Sequence, residues 1–342
     1  MELPARYVVI FIIALIVSAA LTPLMRRAAL RFQVLDHPSN EVKTHSEPVP
    51  YLGGMAVWLS FIITLIVLRL TTHFPTGTLR SLRGVFIGSV VIIIIGILDD
   101  LHIRGLHYVI KLIMQVAAAC ILLLFDIRIK FIHNIYISII LTVIWVVGIT
   151  NAFNLIDIMD GLCSSVAFVA SFGFLIISLP TTMLYVNFSS LVLMGACLGF
   201  MPYNMSKRYR IFLGDTGSLF IGFVLSALAL GTSFTTVNRV SVFAPILVLG
   251  IPIYETLLLI FHRIKKGKSP FMGSKDHFAL RMEKLGLPRK TIVGLATITA
   301  FFLSGVSFVS TRIPSIPAIG LYILVGVLFI FVSLWLGKVE VD

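Results

Sequence analysis

"VVIIIIGILDD", residues 90–100, is an apolar run with no polar face, closed by the paired carboxylates Asp99 and Asp100. Such a run is soluble in lipid, whereas an ionised carboxylate at membrane depth costs several kcal/mol unless it is paired, hydrated or bound to a cation. The same arrangement recurs twice. "NAFNLIDIMDG" (151–161) ends an apolar run with Asn151, Asn154, Asp157 and Asp160, and "IFLGDTGSLF" (211–220) opens one with Asp215. Five carboxylates placed this way, in a chain with only 15 Asp and Glu, read as one assembled polar site.

Working outward, 58% of the 342 residues are apolar and 12% charged, and the mean hydropathy is +1.04. That composition excludes a soluble globular protein. Runs of about twenty apolar residues cross the roughly 30 Å hydrocarbon core as helices. About eleven are expected, centred near residues 15, 60, 90, 117, 143, 171, 192, 223, 251, 301 and 326. Alternating ten-residue segments of the barrel type are absent. The expected fold is therefore an all-α integral membrane protein, one polytopic domain over residues 1–342. Residues 7–25 read as a retained first span rather than a signal peptide, because Arg26 and Arg27 follow the apolar run.

Lys and Arg set the orientation. The loops after odd-numbered spans hold 18 of them and the opposite face holds 8. The positive-inside bias puts the odd loops, and with them every polar cluster, in the cytoplasm and the N-terminus outside. The net charge of +12 follows largely from these anchoring residues. The basic residues are scattered over short loops without a recognition helix, which argues against nucleic acid. Cys120, Cys163 and Cys197 lack metal-site spacing and read as small buried hydrophobes.

Each polar cluster suits a particular chemistry. Asp99 and Asp100 sit at a helix C-terminus, against the macrodipole, and need a compensating cation: Lys111, Arg104 or a divalent metal. Asn151, Asn154, Asp157 and Asp160 form a polar stripe whose donors and acceptors suit a sugar or a base. Asp215 lies between Gly214 and Gly217 at a helix start, where free amides can hold phosphate and a carboxylate can hold Mg²⁺. In "DHPSNEVKTHSEPVPYLGG" (36–54), prolines stiffen a loop carrying Lys43 and His45, and Gly53–Gly54 permits close approach of the next span. His277 and Arg281 stand four apart in a basic loop, placed to grip phosphate if that segment is helical. Acidic metal ligands, phosphate grips and an amide stripe at one membrane boundary point to phosphoryl transfer between a soluble nucleotide and a lipid.

At these residues the chain resembles the polyprenyl-phosphate N-acetylhexosamine-1-phosphate transferase family. The resemblance is carried, in order, by "KTHSEPVPYLGG" (43–54), "GILDD" (96–100), "NAFNLIDIMDGL" (151–162), "YNMSKRYRIFLGDTGSLFIGF" (203–223), "KGKSPF" (266–271), "DHFALR" (276–281) and "LGL" (285–287). It implies attack by a polyprenyl phosphate, such as undecaprenyl phosphate, on the β-phosphate of a UDP-N-acetylamino sugar. UMP would be released, in a bacterial cytoplasmic membrane, with Mg²⁺ (Mn²⁺ as the alternative ion) as cofactor. By motif position it implies Asp215 as metal ligand and Asp99 and Asp100 as the aspartates near lipid phosphate and metal. It places Asn154, Asp157 and Asp160 in the nucleotide-sugar site, Phe212 on uracil, and Lys43, with His45 in the same loop, at the substrate. The multi-histidine pattern of the family's last loop is reduced here to His277 and Arg281, to which the phosphate role passes. Ile158 stands where the family often has Gly. The loops favour the WecA/TagO-like branch, acting on UDP-GlcNAc or a related sugar, over the MraY branch with its phospho-MurNAc-pentapeptide chemistry. The competing class is an ion-coupled transporter, which would put carboxylates in mid-span on both halves of a repeat. A homodimer is left open. Pro245, Gly250 and Pro252 are expected to bend the ninth span and open a lipid groove.

Overall fold

A computed structural model describes residues 3–36, 47–102, 105–181, 183–267, 269, 275–339 and 341. Lys43 and His45 lie outside the described residues. The chain is a bundle of helices: α1 (Leu3–Arg31), α2 (Gly53–Thr71), α3 (Thr76–Leu101), α4 (Tyr108–Leu124), α5 (Ile135–Ile156), α6 (Leu162–Ser178), α7 (Leu184–Asn204) and α8 (Gly214–Gly231). A 3₁₀ turn (Arg239–Phe243) leads into α9 (Ala244–Val248), α10 (Gly250–Lys265), the short α11 (Phe278–Lys284), α12 (Arg289–Ser310) and α13 (Ser315–Leu336). The sheet among the described residues is a two-residue antiparallel ladder, β1 (Leu35–Asp36) on β2 (Val49–Pro50).

Each of the eleven apolar centres falls on a helix. Among the described residues, eight helices are at least 18 residues long and apolar enough to cross a membrane, and the segment from Arg239 to Lys265 makes a ninth if its 75° bend is counted within one span. The helices α4 and α6 are apolar but 17 residues long, so a count of eleven full spans is not reached by length. The expected bend is present at Leu249, between Pro245 and Pro252, where proline removes helical hydrogen bonds.

Lipid offers no hydrophobic driving force between helices, so contact rests on close packing and hydrogen bonds. Ser18 donates to the Ala196 carbonyl (2.7 Å) and Ser60 to that of Ala14 (2.8 Å), tying α1 to α7 and α2 to α1. The helices α7 and α8 are the hub, 83% buried over their apolar windows, whereas α13 is 11% buried and lies at the rim. Cys163 and Cys197 are buried as expected, but Cys120 is exposed on the bundle's outer face.

The N-terminus of the hub helix α8 is where the site is built. Gly96 of α3 allows this approach, because a Cβ there would stand 2.4 Å from the Thr216 Cα. From the other side Gly53 and Gly54 bring α2 against the preceding loop, and their amides donate to the carbonyls of Phe212 (3.0 Å) and Leu213 (2.8 Å). The close approach expected of Gly53–Gly54 is thus made to protein backbone.

Candidate active site

Asp100 reaches across from the end of α3 to the start of α8. Its carboxylate accepts the amides of Asp215 (2.8 Å) and Thr216 (3.1 Å) and the Thr216 hydroxyl (2.6 Å). An anion at a helix N-terminus is favourable, and it satisfies amides that would otherwise be orphans. Gly214 makes room for it: its φ is +73°, and a Cβ there would lie 2.6 Å from Asp100 Oδ2. This corrects the expectation of a free Thr216 amide for substrate phosphate, since Asp100 already occupies it.

Asp99 takes the other solution. One oxygen accepts the Leu106 amide (2.7 Å), and Oδ2 lies 3.2 Å from Lys111 Nζ. Lys111, on α4, also meets Asp215 Oδ2 at 2.9 Å. Asn154, at the end of α5, donates 2.9 Å to the second Asp215 oxygen and lies 3.0 Å from the Ser218 hydroxyl. Four helices thus meet on Asp215. The compensating cation expected beside Asp99 is Lys111, while the α8 dipole compensates Asp100.

A cleft of about 220 Å³ opens beside Asp215, lined also by Asn154, Asp157, Asp160, Phe212 and His277. Burial, then the negative charges of Asp215, Asp160 and Asp100, push the Asp157 carboxyl well above the usual carboxylate range. Asp160 pairs with Arg210 (2.5 Å), whose guanidinium lies 4.8 Å over the Phe212 ring. Tyr51 flanks Phe212 with ring centroids 6.0 Å apart. Arg210 and Tyr51 were not singled out from the sequence; an Arg two residues from an expected stacking aromatic was the available signal. Asp160, Arg210 and Arg289 also border a wider hollow of about 670 Å³ that carries Arg26, Lys207, Arg208 and Lys290. The acidic cleft thus opens toward a basic approach.

Two of the expected residues are placed differently. Asn151 pairs with Gln115 (2.5 Å) between α5 and α4 and does not line the cleft. Arg281 is only 2% exposed. Its guanidinium donates to Asp276 (2.8 Å) and to the carbonyls of Asp276, Leu336 and Val339 (3.0, 3.0 and 2.5 Å). Arg281 therefore clips α11 to the end of α13, and the expectation that it grips phosphate is corrected. Burial would raise the Asp276 carboxyl, but the Lys266 hydrogen bond and charge, with Arg281, hold it below its ordinary value. His277 does reach the cleft, with Nδ1 2.6 Å from Glu255 Oε1.

Among the described residues no group of three or more His, Cys, Asp and Glu side chains forms a metal cage. The donor set suits instead a hard cation that takes one or two carboxylates and completes its shell with phosphate oxygens and water, as Mg²⁺ does. Asp99 and Asp215 already converge on a single cationic atom, Lys111 Nζ.

The fold and cleft define a polytopic membrane protein with an acidic, amide-lined site where helix ends meet. Residues 82–233 match the profile of glycosyl transferase family 4. Over 308 residues the chain is 30% identical to a probable undecaprenyl-phosphate N-acetylglucosaminyl 1-phosphate transferase of Bacillus subtilis, covering 87% of this chain and 83% of that protein. It is 27% identical over 296 residues to an undecaprenyl-phosphate alpha-N-acetylglucosaminyl 1-phosphate transferase of Thermotoga maritima, covering 85% of this chain and 88% of that protein. A decaprenyl-phosphate N-acetylglucosaminephosphotransferase of Mycobacterium leprae is 27% identical over 354 residues, with 92% and 87% covered. The chain belongs to the polyprenyl-phosphate N-acetylhexosamine-1-phosphate transferase family.

Proposed function

We propose that the protein transfers N-acetylglucosamine 1-phosphate from UDP-GlcNAc to undecaprenyl or another polyprenyl phosphate, releasing UMP and initiating a cell-envelope polysaccharide. The observation that carries this is the convergence of Asp99 and Asp215, from two helices, on Lys111, with Asn154 of a third helix on the second Asp215 oxygen, beside a cleft that Asp215 shares with Phe212 and His277. The names of the relatives support the same chemistry.

A lipid phosphate is already an oxyanion at neutral pH and needs no enzyme nucleophile. One of its oxygens attacks the β-phosphorus of the nucleotide sugar. The bond from that phosphorus to the bridging oxygen breaks, and UMP leaves with the electron pair. Phe212 stacks on the base with Arg210 over its other side, while Asp157 and Asp160 face the sugar and ribose hydroxyls. Asn154 fixes the rotamer of Asp215, and Lys111 screens Asp215 from Asp99. Asp215, with Asp99 beside it, would hold Mg²⁺, which when bound neutralises charge on the transferring phosphate. Lys43 and His45 complete the substrate-binding set in this proposal. The positive bias of the loops at this end supports a cytoplasmic site in a bacterial inner membrane.

The test is direct. Purified protein is incubated with undecaprenyl phosphate, Mg²⁺ and a panel of UDP-sugars, and UMP is measured. UMP that depends on lipid, metal and UDP-GlcNAc is the expected result; release without lipid, or none with any sugar, removes the proposal.

A further inference from the structure

Glu255 is a fully buried carboxylate for which the proposed reaction has no use. It lies on α10, past the 75° bend. A buried charge persists only where donors replace its water. Two do so here: His277 Nδ1 lies 2.6 Å from Oε1, and the Phe278 amide donates 3.1 Å to Oε2. The amide contact leaves Oε1 to the imidazole. With the carboxylate as acceptor, Nδ1 carries the proton of that contact.

The geometry has a consequence for the cleft. With Nδ1 committed to Glu255, the free nitrogen of His277 is Nε2, and His277 lines the cleft beside Asp215 and Asp157. A carboxylate behind an imidazole fixes both the ring's rotation and which nitrogen faces forward. His277 also starts α11, whose first amide is the one Glu255 accepts. One side chain therefore sets the ring and the helix that carries it.

We infer that Glu255 is a positioning residue for His277, holding Nδ1–H so that Nε2 is presented to the phosphates in the cleft. The phosphate part of this inference rests on the proposed phosphosugar transfer; the orientation of the ring does not. Arg263 lies within electrostatic reach of Glu255, so charge compensation for Glu255 is not left to His277 alone. Its contribution through His277 is separable by mutation.

The test has two arms. In the first, the full-length protein is labelled with ¹⁵N-histidine, and His277 is assigned by its loss in His277→Ala. Nδ1 should carry a proton in the absence of any substrate, and Glu255→Gln should change its signal. An unprotonated Nδ1 in the wild type overturns the inference, and this arm decides it even if Glu255→Gln fails to accumulate. In the second arm, kcat and KM are measured for Glu255→Gln, His277→Ala and the double variant at matched folded fraction. Losing a charge-assisted contact should lower kcat about 10- to 150-fold, with KM for UDP-GlcNAc changed less than about threefold. Action through His277 predicts less than about twofold further loss when Glu255→Gln is added to His277→Ala. Losses that multiply mean a general packing role and overturn the inference. If the wild type forms no UMP while Nδ1 is protonated, the transferase proposal falls and the positioning of His277 stands.

Discussion

The two ends of the bundle both carry an aspartate facing lysine, and they are built differently. At one end Lys111 of α4 joins Asp99 of α3 to Asp215 of α8, with Asn154 of α5 on the far oxygen. At the other, Asp126 meets Arg128 (3.1 Å) and Lys130 (2.9 Å), its own neighbours in a single loop. The first arrangement exists only when four helices are packed; the second needs no fold beyond a turn. Burial differs in the same sense, because side-chain exposure is 10% for Asp99 and 48% for Asp126. Size points the other way. A cavity of about 1010 Å³ opens at the Asp126 end and is mostly apolar, whereas the polar groups gather in a cleft of about 220 Å³. Convergence from distant sequence, not volume, marks the chemistry.

The sharpest way to break that contrast is Asp215→Asn. The side chain keeps its shape and loses the charge toward which Lys111 and the proposed metal are directed. Turnover should fall by about 100- to 1000-fold, the range seen when one preorganised electrostatic contact is removed. The thermal midpoint should stay near that of the wild type. Near-normal UMP formation at ordinary Mg²⁺ would move the metal role to Asp99.

Arg281→Ala tests a third cluster, in which the chain itself takes up the donors. Lys266 remains beside Asp276, so the loss is that of hydrogen bonds to a charged group, about 1.5–3 kcal/mol of stability. Turnover per folded molecule should be unchanged. Denaturation in detergent, read alongside UMP release, separates the two quantities. A kcat loss of tenfold at full folding would return Arg281 to the substrate.

Adjacent carboxylates should also part company. Asp99→Asn weakens the pair with Lys111, which also holds Asp215, and should act on turnover. Asp100→Asn removes the charge that caps α8 and should cost about 0.5–2 kcal/mol of stability, with activity falling because Asp215 shifts with its helix. Paired kinetic and unfolding measurements on the two variants decide this; identical profiles would mean that they act as one unit.

These cases show what was legible in the chain and what was not. Helix centres were legible because lipid admits few other structures, so apolar length alone locates them. The gathering of Asp99, Asp157, Asp160 and Asp215 was legible because a carboxylate at the end of an apolar run must be paired, hydrated or bound to a cation. Their partners were harder to see. Asp100 finds its amides 115 residues on, and Arg281 finds carbonyls at the end of α13; sequence spacing carries neither pairing. The helix-start amides read as a phosphate site because nothing local occupied them. Glu255 did leave a signal, a lone acid within an apolar helix, which is by default a functional residue.

The smallest effect is expected from Asp126→Asn, and the contrast between the two ends depends on it as much as on Asp215. Asp126 is a carboxylate with two cationic partners at hydrogen-bonding distance, so a count of ion pairs would rank it beside Asp99. The hydrogen bond to Lys130 holds its carboxyl below the ordinary value, burial opposing and Arg128 assisting. Yet Lys130 is 62% exposed and the pair is i,i+4 in one loop, so water and salt screen what the charges gain. Exposed pairs of this kind are worth about 0–1 kcal/mol. Asp126→Asn should therefore leave kcat and KM within about twofold of wild type and shift stability by no more than about 1 kcal/mol, an effect that shrinks further as salt is raised. Both quantities come from the same UMP assay and unfolding curves used for Asp215→Asn. A large loss of turnover here would mean that the wide apolar cavity at this end takes part in the reaction, and that convergence is not the mark of the site.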